Sequence, residues 1–367
     1  MIKDKPYSIT SKILQFKEAA GTSRGVYLTR KIWIIKWSFP EMSPIEIAGE
    51  CAPLPQLSID DIPQLKEKIE EYCALYVLCR KDYSVDTSYL PNSLLHQNGI
   101  SCLPDIGHYP SIRFALESIE WQYEMIKREI THFPVKIPIN GLIWMGDRET
   151  MAQRIHEKID AGFKCLKLKI GAINWTDEVE LIRTIRSLYG KESLTIRVDA
   201  NGAFQLDKVL SQLEELAKYD LHSIEQPIHA GQFDEMARCC KTSPLAIALD
   251  EELIPITNRV EKIKLLEKIK PQYIILKPSL MGGISGSIEW IQLAEERNIQ
   301  WWITSALESN IGLDTLAFCT QYIWSSIHPN DKIPHQGLGT GQLFVENFPS
   351  VFSIQGEYLT NQDKKVV

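Results

Sequence analysis

The sequence lacks the long hydrophobic runs that membrane proteins carry. No apolar stretch in its 367 residues approaches the roughly 20 residues that a membrane-spanning helix needs. The first residues, MIKDKPYSIT, also lack the hydrophobic core of a secretory signal peptide. These absences predict a cytoplasmic protein that has no membrane partner and whose eight cysteines are reduced thiols.

Three signatures of common ligand sites are missing as well. No two cysteines have the Cys-X-X-Cys spacing of a zinc site. The glycine clusters MGGISG and GLGTG do not match the Gly-X-Gly-X-X-Gly pattern of a dinucleotide site. The formal net charge is −7, whereas nucleic-acid-binding domains usually carry a concentrated basic face. The sequence therefore favours a small-molecule ligand over nucleic acid, zinc or a nicotinamide cofactor.

From about residue 137 onward, short β-rich segments alternate with amphipathic or capped segments. The last six candidate strands end at residues 170, 199, 225, 250, 277 and 305, so successive ends lie 25 to 29 residues apart. That interval fits one strand plus a returning helix. Seven or eight such units within about 200 residues favour a closed (β/α) barrel over an open sheet. The eighth strand is expected near residues 322–328.

The first 130 residues have a different pattern. Segments 30–39 and 46–54 predict antiparallel strands, and segments 62–80 and 110–130 predict helices. The tail after about residue 342 has too little apolar content to form a domain of its own. It is expected to pack back on the N-terminal domain. We therefore predict an N-terminal α+β domain and a separate barrel. The expected bounds are 1–134, completed by 342–367, for the first domain and 135–341 for the barrel.

Side-chain alternation brings charged groups to one end of the predicted barrel. The strand at 165–170 places its leucines on one face and Lys167 and Lys169 on the other, inward face. The C-terminal ends of barrel strands are where catalytic groups usually lie. Four later strands each end on one inward-facing ionisable residue, namely Asp199, Glu225, Asp250 and Lys277.

Each of these residues taken alone also has an ordinary structural explanation. A carboxylate that ends a strand more often caps a helix, and a lysine pair in a strand more often lies on a solvated edge. Five ionisable strand ends in one inward register favour a functional site instead. The three carboxylates would offer only oxygen ligands, which suits a hard divalent cation such as Mg²⁺, or Mn²⁺. Lys169 and Lys277 would flank that cation from opposite sides.

Three further polar residues are weaker candidates. Asn201 is either a site residue or simply a turn residue. Ser305 and Ser309 either cap the helix that follows the seventh strand or help its N-terminus bind a substrate carboxylate.

The spacing of these motifs resembles the enolase superfamily, and in particular its muconate-lactonizing subgroup. Within that subgroup the chain is similar to the o-succinylbenzoate synthase family, in the segments GECAPLPQLS, PSIRFALE, SALESNIG and GLGTGQLF. One departure is Gln56, where that family commonly has glycine. The superfamily motifs are Lys167-Leu168-Lys169, Asp199-Ala200-Asn201, Glu225-Gln226-Pro227, Asp250-Glu251 and Lys277-Pro278.

The resemblance implies an α/β fold, namely a modified TIM barrel of the (β/α)7β type with an N-terminal α+β capping domain. It implies Mg²⁺-dependent syn dehydration of 2-succinyl-6-hydroxy-2,4-cyclohexadiene-1-carboxylate to o-succinylbenzoate in menaquinone biosynthesis. Lys169 would be the base and then the acid, Lys277 would stabilise the anion, and Lys167 would contact the carboxylate. Asp199, Glu225 and Asp250 would hold the metal.

An alternative within the same superfamily is a racemase or epimerase of N-acylamino acids or dipeptides, since lysines on both faces suit proton transfer at one carbon. Dipeptide epimerases usually carry an Asp-X-Asp near the later strands, which SALESN lacks. A binding protein on a degenerate barrel is disfavoured because none of the five charged strand ends has been lost. The sequence does not determine the oligomeric state.

Overall fold

The computed structural model describes residues 5–22, 25–42, 44–82, 100, 103–130, 133–171 and 173–361. Within these ranges no helix is long and apolar enough to cross a membrane. The barrel is built on a seven-stranded sheet, in which neighbouring strands follow the chain order and pair in parallel. Its strands are β5 (Gly141–Ile143), β6 (Cys165–Lys169), β7 (Thr195–Asp199), β8 (Ser223–Glu225), β9 (Ile247–Leu249), β10 (Tyr273–Leu276) and β11 (Gln300–Ile303).

Each of these strands is followed by one helix. Parallel bridges from Ile139 to Gln336 and from Thr304 to Gly337 insert a short eighth segment between β11 and the first strand. The arrangement confirms the predicted modified TIM barrel of the (β/α)7β type. The helices are α3 (Arg148–Asp160), α4 (Trp175–Leu188), α5 (Val209–Ala217), α6 (Phe233–Thr242), α7 (Arg259–Ile269), α8 (Gly283–Glu295) and α9 (Asn310–Ile327).

The predicted alternation of strand side chains agrees with the packing. Ile196 and Val198 belong to the large core between the strands and the helices. Inside the barrel, Trp302 packs in a separate small cluster, and the guanidinium of Arg197 lies 4.0 Å from the centre of its indole ring. Arg197 and Asp199 therefore share the inward face of β7.

The prediction of a strand near residues 322–328 is wrong, because residues up to Ile327 belong to α9. The apolar residues there continue the spacing of a helix whose inner face buries Leu316, Cys319 and Ile323. The actual eighth segment, at residues 336–337, is too short to produce a strand pattern.

The N-terminal region contains a three-stranded antiparallel sheet, two strands of which correspond to the segments predicted at 30–39 and 46–54. Its first strand, β1, forms a long hairpin with β2 and was not predicted. A second hydrophobic core lies between this sheet and two helices. The elements are β1 (Tyr7–Thr22), β2 (Gly25–Ser38), β3 (Glu46–Cys51), α1 (Leu65–Asp82) and α2 (Pro110–Lys127).

The C-terminal segment contacts both regions. Its strands β12 (Ser353–Gln355) and β13 (Tyr358–Thr360) form a small antiparallel sheet with β4 (Lys136–Pro138). Upstream of them, the Val345 amide donates a 2.9 Å hydrogen bond to the Gln15 carbonyl of β1. The predicted assignment of this tail to the first domain, and the domain bounds themselves, stay predictions.

The loop after β3 makes a tight turn at Gln56, the position where the similar family commonly has glycine. Gln56 has φ 63°, in the left-handed region that glycine adopts most easily. Its backbone amide donates a 2.9 Å hydrogen bond to the Asp61 carboxylate, which helps to hold this strained conformation.

The contact between β3 and α2 depends on a glycine. A Cβ atom at Gly49 would lie far inside the contact distance of the Ala115 carbonyl oxygen. We predict that Gly49→Ala lowers the free energy of unfolding by about 1–3 kcal/mol, because backbone must move to relieve the overlap. Gly190→Ala is the matched control, since nothing lies within 4 Å of its added Cβ. Urea denaturation of both variants measures the difference, and equal midpoints would contradict the prediction.

Candidate active site

The folded barrel brings the predicted charged residues together at the C-terminal ends of five consecutive strands. Lys169, Asp199 and Glu225 are the last residues of β6, β7 and β8. Asp250 and Lys277 directly follow β9 and β10. All five side chains are buried, and the exposed fractions of Asp199 and Asp250 are 0%. Buried ionic groups at this density must be paired with one another or bind a ligand.

Lys167 bridges two of the carboxylates. Its Nζ lies 2.8 Å from Asp199 Oδ2 and also forms an ion pair with Glu225 Oε2. Burial alone would lower the pKa of Lys167, but the attraction of these two carboxylates outweighs it and raises the pKa above the usual lysine value. The two carboxylates therefore favour the charged form of Lys167.

Lys277 has a carboxylate partner of its own. Its Nζ forms an ion pair with Asp250 Oδ2 on the neighbouring strand. Burial opposes the charged form, but the attraction of Asp250, aided by Glu225, raises the pKa of Lys277. This environment favours the charged form of Lys277.

Lys169 has a different environment from the other two lysines. Its Nζ lies 2.5 Å from Asp199 Oδ2 and 2.7 Å from Asn201 Oδ1. Burial lowers the pKa of Lys169, the attraction of Asp199 opposes this effect, and repulsion by Lys167 and Lys277 adds to it. Among these three lysines, only Lys169 has a pKa below the usual value, which favours the neutral amine that a base requires.

The carboxylates also differ from one another. Burial disfavours the charged form of Asp199, but Lys167 and Lys169 outweigh it and hold the pKa of Asp199 well below its usual range. Burial raises the pKa of Glu225 well above its usual range, and the negative charge of Asp199 adds to the effect. A second cation near Glu225 would therefore favour its ionised form.

The chemistry of the three carboxylates fits a hard divalent cation. Their donors are all oxygens, and Glu225 Oε1 and Asp250 Oδ1 are buried without a hydrogen-bond partner among the residues that the structure describes. In the same ranges, however, no group of three or more His, Cys, Asp or Glu side chains has the spacing of an assembled metal centre. Lysine ammonium groups neutralise the carboxylates instead, so the metal set stays a prediction.

A cavity opens at this end of the barrel. Lys169 and Lys277 both line it, although their strands stand four places apart in the sheet. A ligand in the cavity would therefore have one lysine on each side. Lys167 also lines the cavity and could contact the same ligand.

The three weaker candidates have different positions. Ser305 lines the cavity, and its hydroxyl lies 2.5 Å from that of Thr340. Asn201 accepts from Lys169 and donates a 3.0 Å hydrogen bond to Glu251, so it positions the lysine. Ser309 is buried outside the cavity lining and caps α9, as one of the two sequence hypotheses expected. The predicted contact of Ser309 with substrate stays a prediction.

The cavity also contains residues that the sequence analysis missed. Tyr27 and Leu54 reach it from the N-terminal region. Trp144 and Asn140 line it near the first barrel strand, and Asn140 Oδ1 is buried with no partner among the described residues. A polar Asn140 within the apolar run IPINGLIWM was the one available signal.

Comparisons with known proteins agree with this fold. A family model described as "Enolase C-terminal domain-like" matches residues 150–364. An o-succinylbenzoate synthase of Desulfotalea psychrophila is 40% identical to the chain over an alignment of 370 positions. The alignment covers 94% of this chain and 96% of that protein.

Solved structures show the same relationship. The crystal structure of MenC from Desulfotalea psychrophila LSv54 has a TM-score of 0.77 and 34% identity, and covers 96% of this chain and 99% of that one. A dipeptide epimerase from Enterococcus faecalis V583, complexed with Mg and the dipeptide L-Leu-L-Tyr, has a TM-score of 0.77 at 17% identity, with coverage of 97% and 96%. The second likeness shows the fold alone. The chain is therefore an enzyme of the enolase superfamily and belongs to its o-succinylbenzoate synthase family of hydro-lyases.

Proposed function

We propose that this enzyme removes water from 2-succinyl-6-hydroxy-2,4-cyclohexadiene-1-carboxylate to give o-succinylbenzoate in menaquinone biosynthesis. The observation that carries the proposal is the pair of lysines that line one cavity from opposite sides with unequal partners. Lys169 contacts an aspartate that Lys167 also contacts, whereas Lys277 pairs with Asp250, which no other lysine among the described residues contacts. Similarity to a synthase along nearly the whole chain supports the same conclusion.

The chemistry assigned to Lys169 is a proton transfer in two directions. As the neutral amine it takes the proton from the ring carbon that bears the carboxylate, and negative charge moves onto that carboxylate. The bond between the neighbouring ring carbon and its hydroxyl then breaks, and the Lys169 ammonium returns the proton to the departing oxygen. Substrate thus becomes one aromatic product and one water molecule, with no oxidant or reductant.

The other residues stabilise the negative charge that develops on the substrate during this step. Lys277 stays protonated on the opposite side and stabilises the developing anion through its charge, by cation–π contact with the ring. Lys167 contributes a second fixed cation next to the substrate carboxylate. Asn201 holds the Lys169 amine through a 2.7 Å hydrogen bond. A Mg²⁺ ion held by Asp199, Glu225 and Asp250 would supply further positive charge for the carboxylate.

A racemase or epimerase activity is the second candidate, because lysines on two sides of one cavity could each serve one enantiomer. The fold shared with the dipeptide epimerase from Enterococcus faecalis is compatible with it. The unequal environments of Lys169 and Lys277 favour the dehydration, since a two-base reaction needs both lysines to exchange protons.

We predict that activity requires a divalent cation. Exhaustive dialysis against EDTA should abolish the dehydration, followed by ultraviolet absorbance, and Mg²⁺ or Mn²⁺ should restore it. Asp250→Asn should weaken Mn²⁺ binding, measured by calorimetry, by about tenfold or more. Glu252→Gln is the matched control, because Glu252 is bound by the Gly231 amide at 2.9 Å and by Gln226 at 3.3 Å. Full activity in EDTA would refute the metal assignment.

We predict that replacing Lys169 and replacing Lys277 have different effects on turnover and on proton exchange. Lys169→Ala should lower turnover by about 10²–10⁴-fold and stop exchange of the substrate α-proton with solvent deuterium. Lys277→Arg keeps a cation of different shape, so it should lower turnover while Mn²⁺ affinity is unchanged.

Deuterium exchange into both enantiomers of an N-acylamino acid tests the alternative racemase activity. Exchange that survives in each single variant with opposite stereochemistry would establish the two-base reaction.

A further inference from the structure

Glu50 is a fully buried carboxylate to which the proposed reaction assigns no role. It lies on β3 of the N-terminal region, and its side chain reaches the first turn of α9 in the barrel. Its Oε1 accepts a 2.9 Å hydrogen bond from the Ser309 amide. Its Oε2 accepts from the Ser309 hydroxyl at 2.5 Å and from the Gly312 amide at 3.0 Å. Three donors of one helix end thus converge on one carboxylate.

The segment that Glu50 holds is continuous with the wall of the cavity. Residues 304–307, which directly follow β11, all line that cavity. Ser309 comes two residues later. Leu307 has φ 64°, so the wall turns sharply just before the contact with Glu50. This backbone conformation of Leu307 is strained, so it persists only where surrounding contacts hold it.

Arg30, on the neighbouring strand β2, contacts the same wall at Ala306. Its guanidinium donates to the Ala306 carbonyl at 3.3 Å and to the Pro53 carbonyl at 2.5 Å. Ala306 and Leu54, the residue after Pro53, both line the cavity. Arg30 therefore connects the wall contributed by the N-terminal region with the wall contributed by the barrel.

The same wall is connected to the loop of a catalytic lysine. Glu308 accepts a 2.7 Å hydrogen bond from the Ala306 amide and another hydrogen bond from the Ser279 hydroxyl. Ser279 lies two residues after Lys277. Gly312 leaves room for this arrangement, because a Cβ there would lie 2.9 Å from the Glu308 Cβ and 3.2 Å from Glu50 Oε2.

We propose that Glu50 and Arg30 are positioning residues that fix the cavity wall at 304–307, so that the N-terminal region sets substrate binding without Glu50 touching the substrate. For the part that concerns substrate, the inference rests on the proposed dehydration. Its structural part, the fixing of the wall, stands on the hydrogen bonds alone.

The chain offers a matched control in Glu117. This glutamate on α2 is also fully buried and binds the first turn of α8, where it accepts from the Ser285 amide at 3.1 Å and from the Ser285 hydroxyl. It also accepts a 2.9 Å hydrogen bond from Arg113. No residue of 283–285 lines the cavity. Glu117 therefore docks the same two regions without holding the cavity wall.

The test compares Glu50→Gln with Glu117→Gln in the full-length protein. Hydrogen exchange by mass spectrometry, without ligand, should show about tenfold faster exchange at 304–312 in Glu50→Gln only, because an amide NH₂ cannot accept from the Gly312 N–H. In the dehydration assay Glu50→Gln should raise KM about tenfold and change kcat less than about threefold. Glu117→Gln should leave both values unchanged.

Equal exchange at 304–312 in the two glutamine variants would overturn the inference, as would a KM that rises equally in both. If Glu50→Gln does not unfold cooperatively on heating, Ser309→Ala with Ser285→Ala as its control repeats the comparison on the partner side. A wild-type enzyme that cannot dehydrate the cyclohexadiene carboxylate would refute the proposed function. The exchange data alone would then support or overturn the role of Glu50.

Discussion

Mutual neutralisation of buried charges at one end of the barrel is the constraint on which the site depends. Three lysines and three carboxylates are buried there, and each ion taken alone would cost several kcal/mol to remove from water. The strand order brings each cation within reach of a carboxylate on a nearby strand. Lys167 contacts Asp199 and Glu225, and Lys277 contacts Asp250. Removing one partner therefore changes the charge state of the others.

The same neutralisation makes the lysines unequal. Asp199 is shared between Lys167 and Lys169, so it cannot compensate both cations fully. Lys169 is the lysine of the three whose pKa falls, whereas Lys277 keeps a carboxylate partner of its own. Two lysines with opposite pKa shifts thus arise from one residue type, through the number of carboxylates within reach.

Buried acids at helix N-termini connect the two regions of the molecule. Glu50 binds the start of α9, and Glu117 binds the start of α8. Within the N-terminal region, Asp60 binds the start of α2 through the Ser111 amide at 2.8 Å and the Ser111 hydroxyl at 2.5 Å. Each carboxylate satisfies backbone donors that have no partner within their own helix. The start of α9, which follows the cavity wall at 304–307, is therefore held by a residue that lies outside the cavity.

The sequence alone determined the barrel, the register of its strands and the identity of the charged strand ends. Those features follow from a regular strand interval and from period-two alternation, which are local properties. It did not reveal β1, the closing segment at 336–337, or the cavity residues Tyr27 and Asn140. Only the tertiary structure decided that Lys277 pairs with Asp250 and that Glu50 binds Ser309, 259 positions away in the chain. Such outcomes depend on distances between residues remote in sequence, which no local pattern encodes.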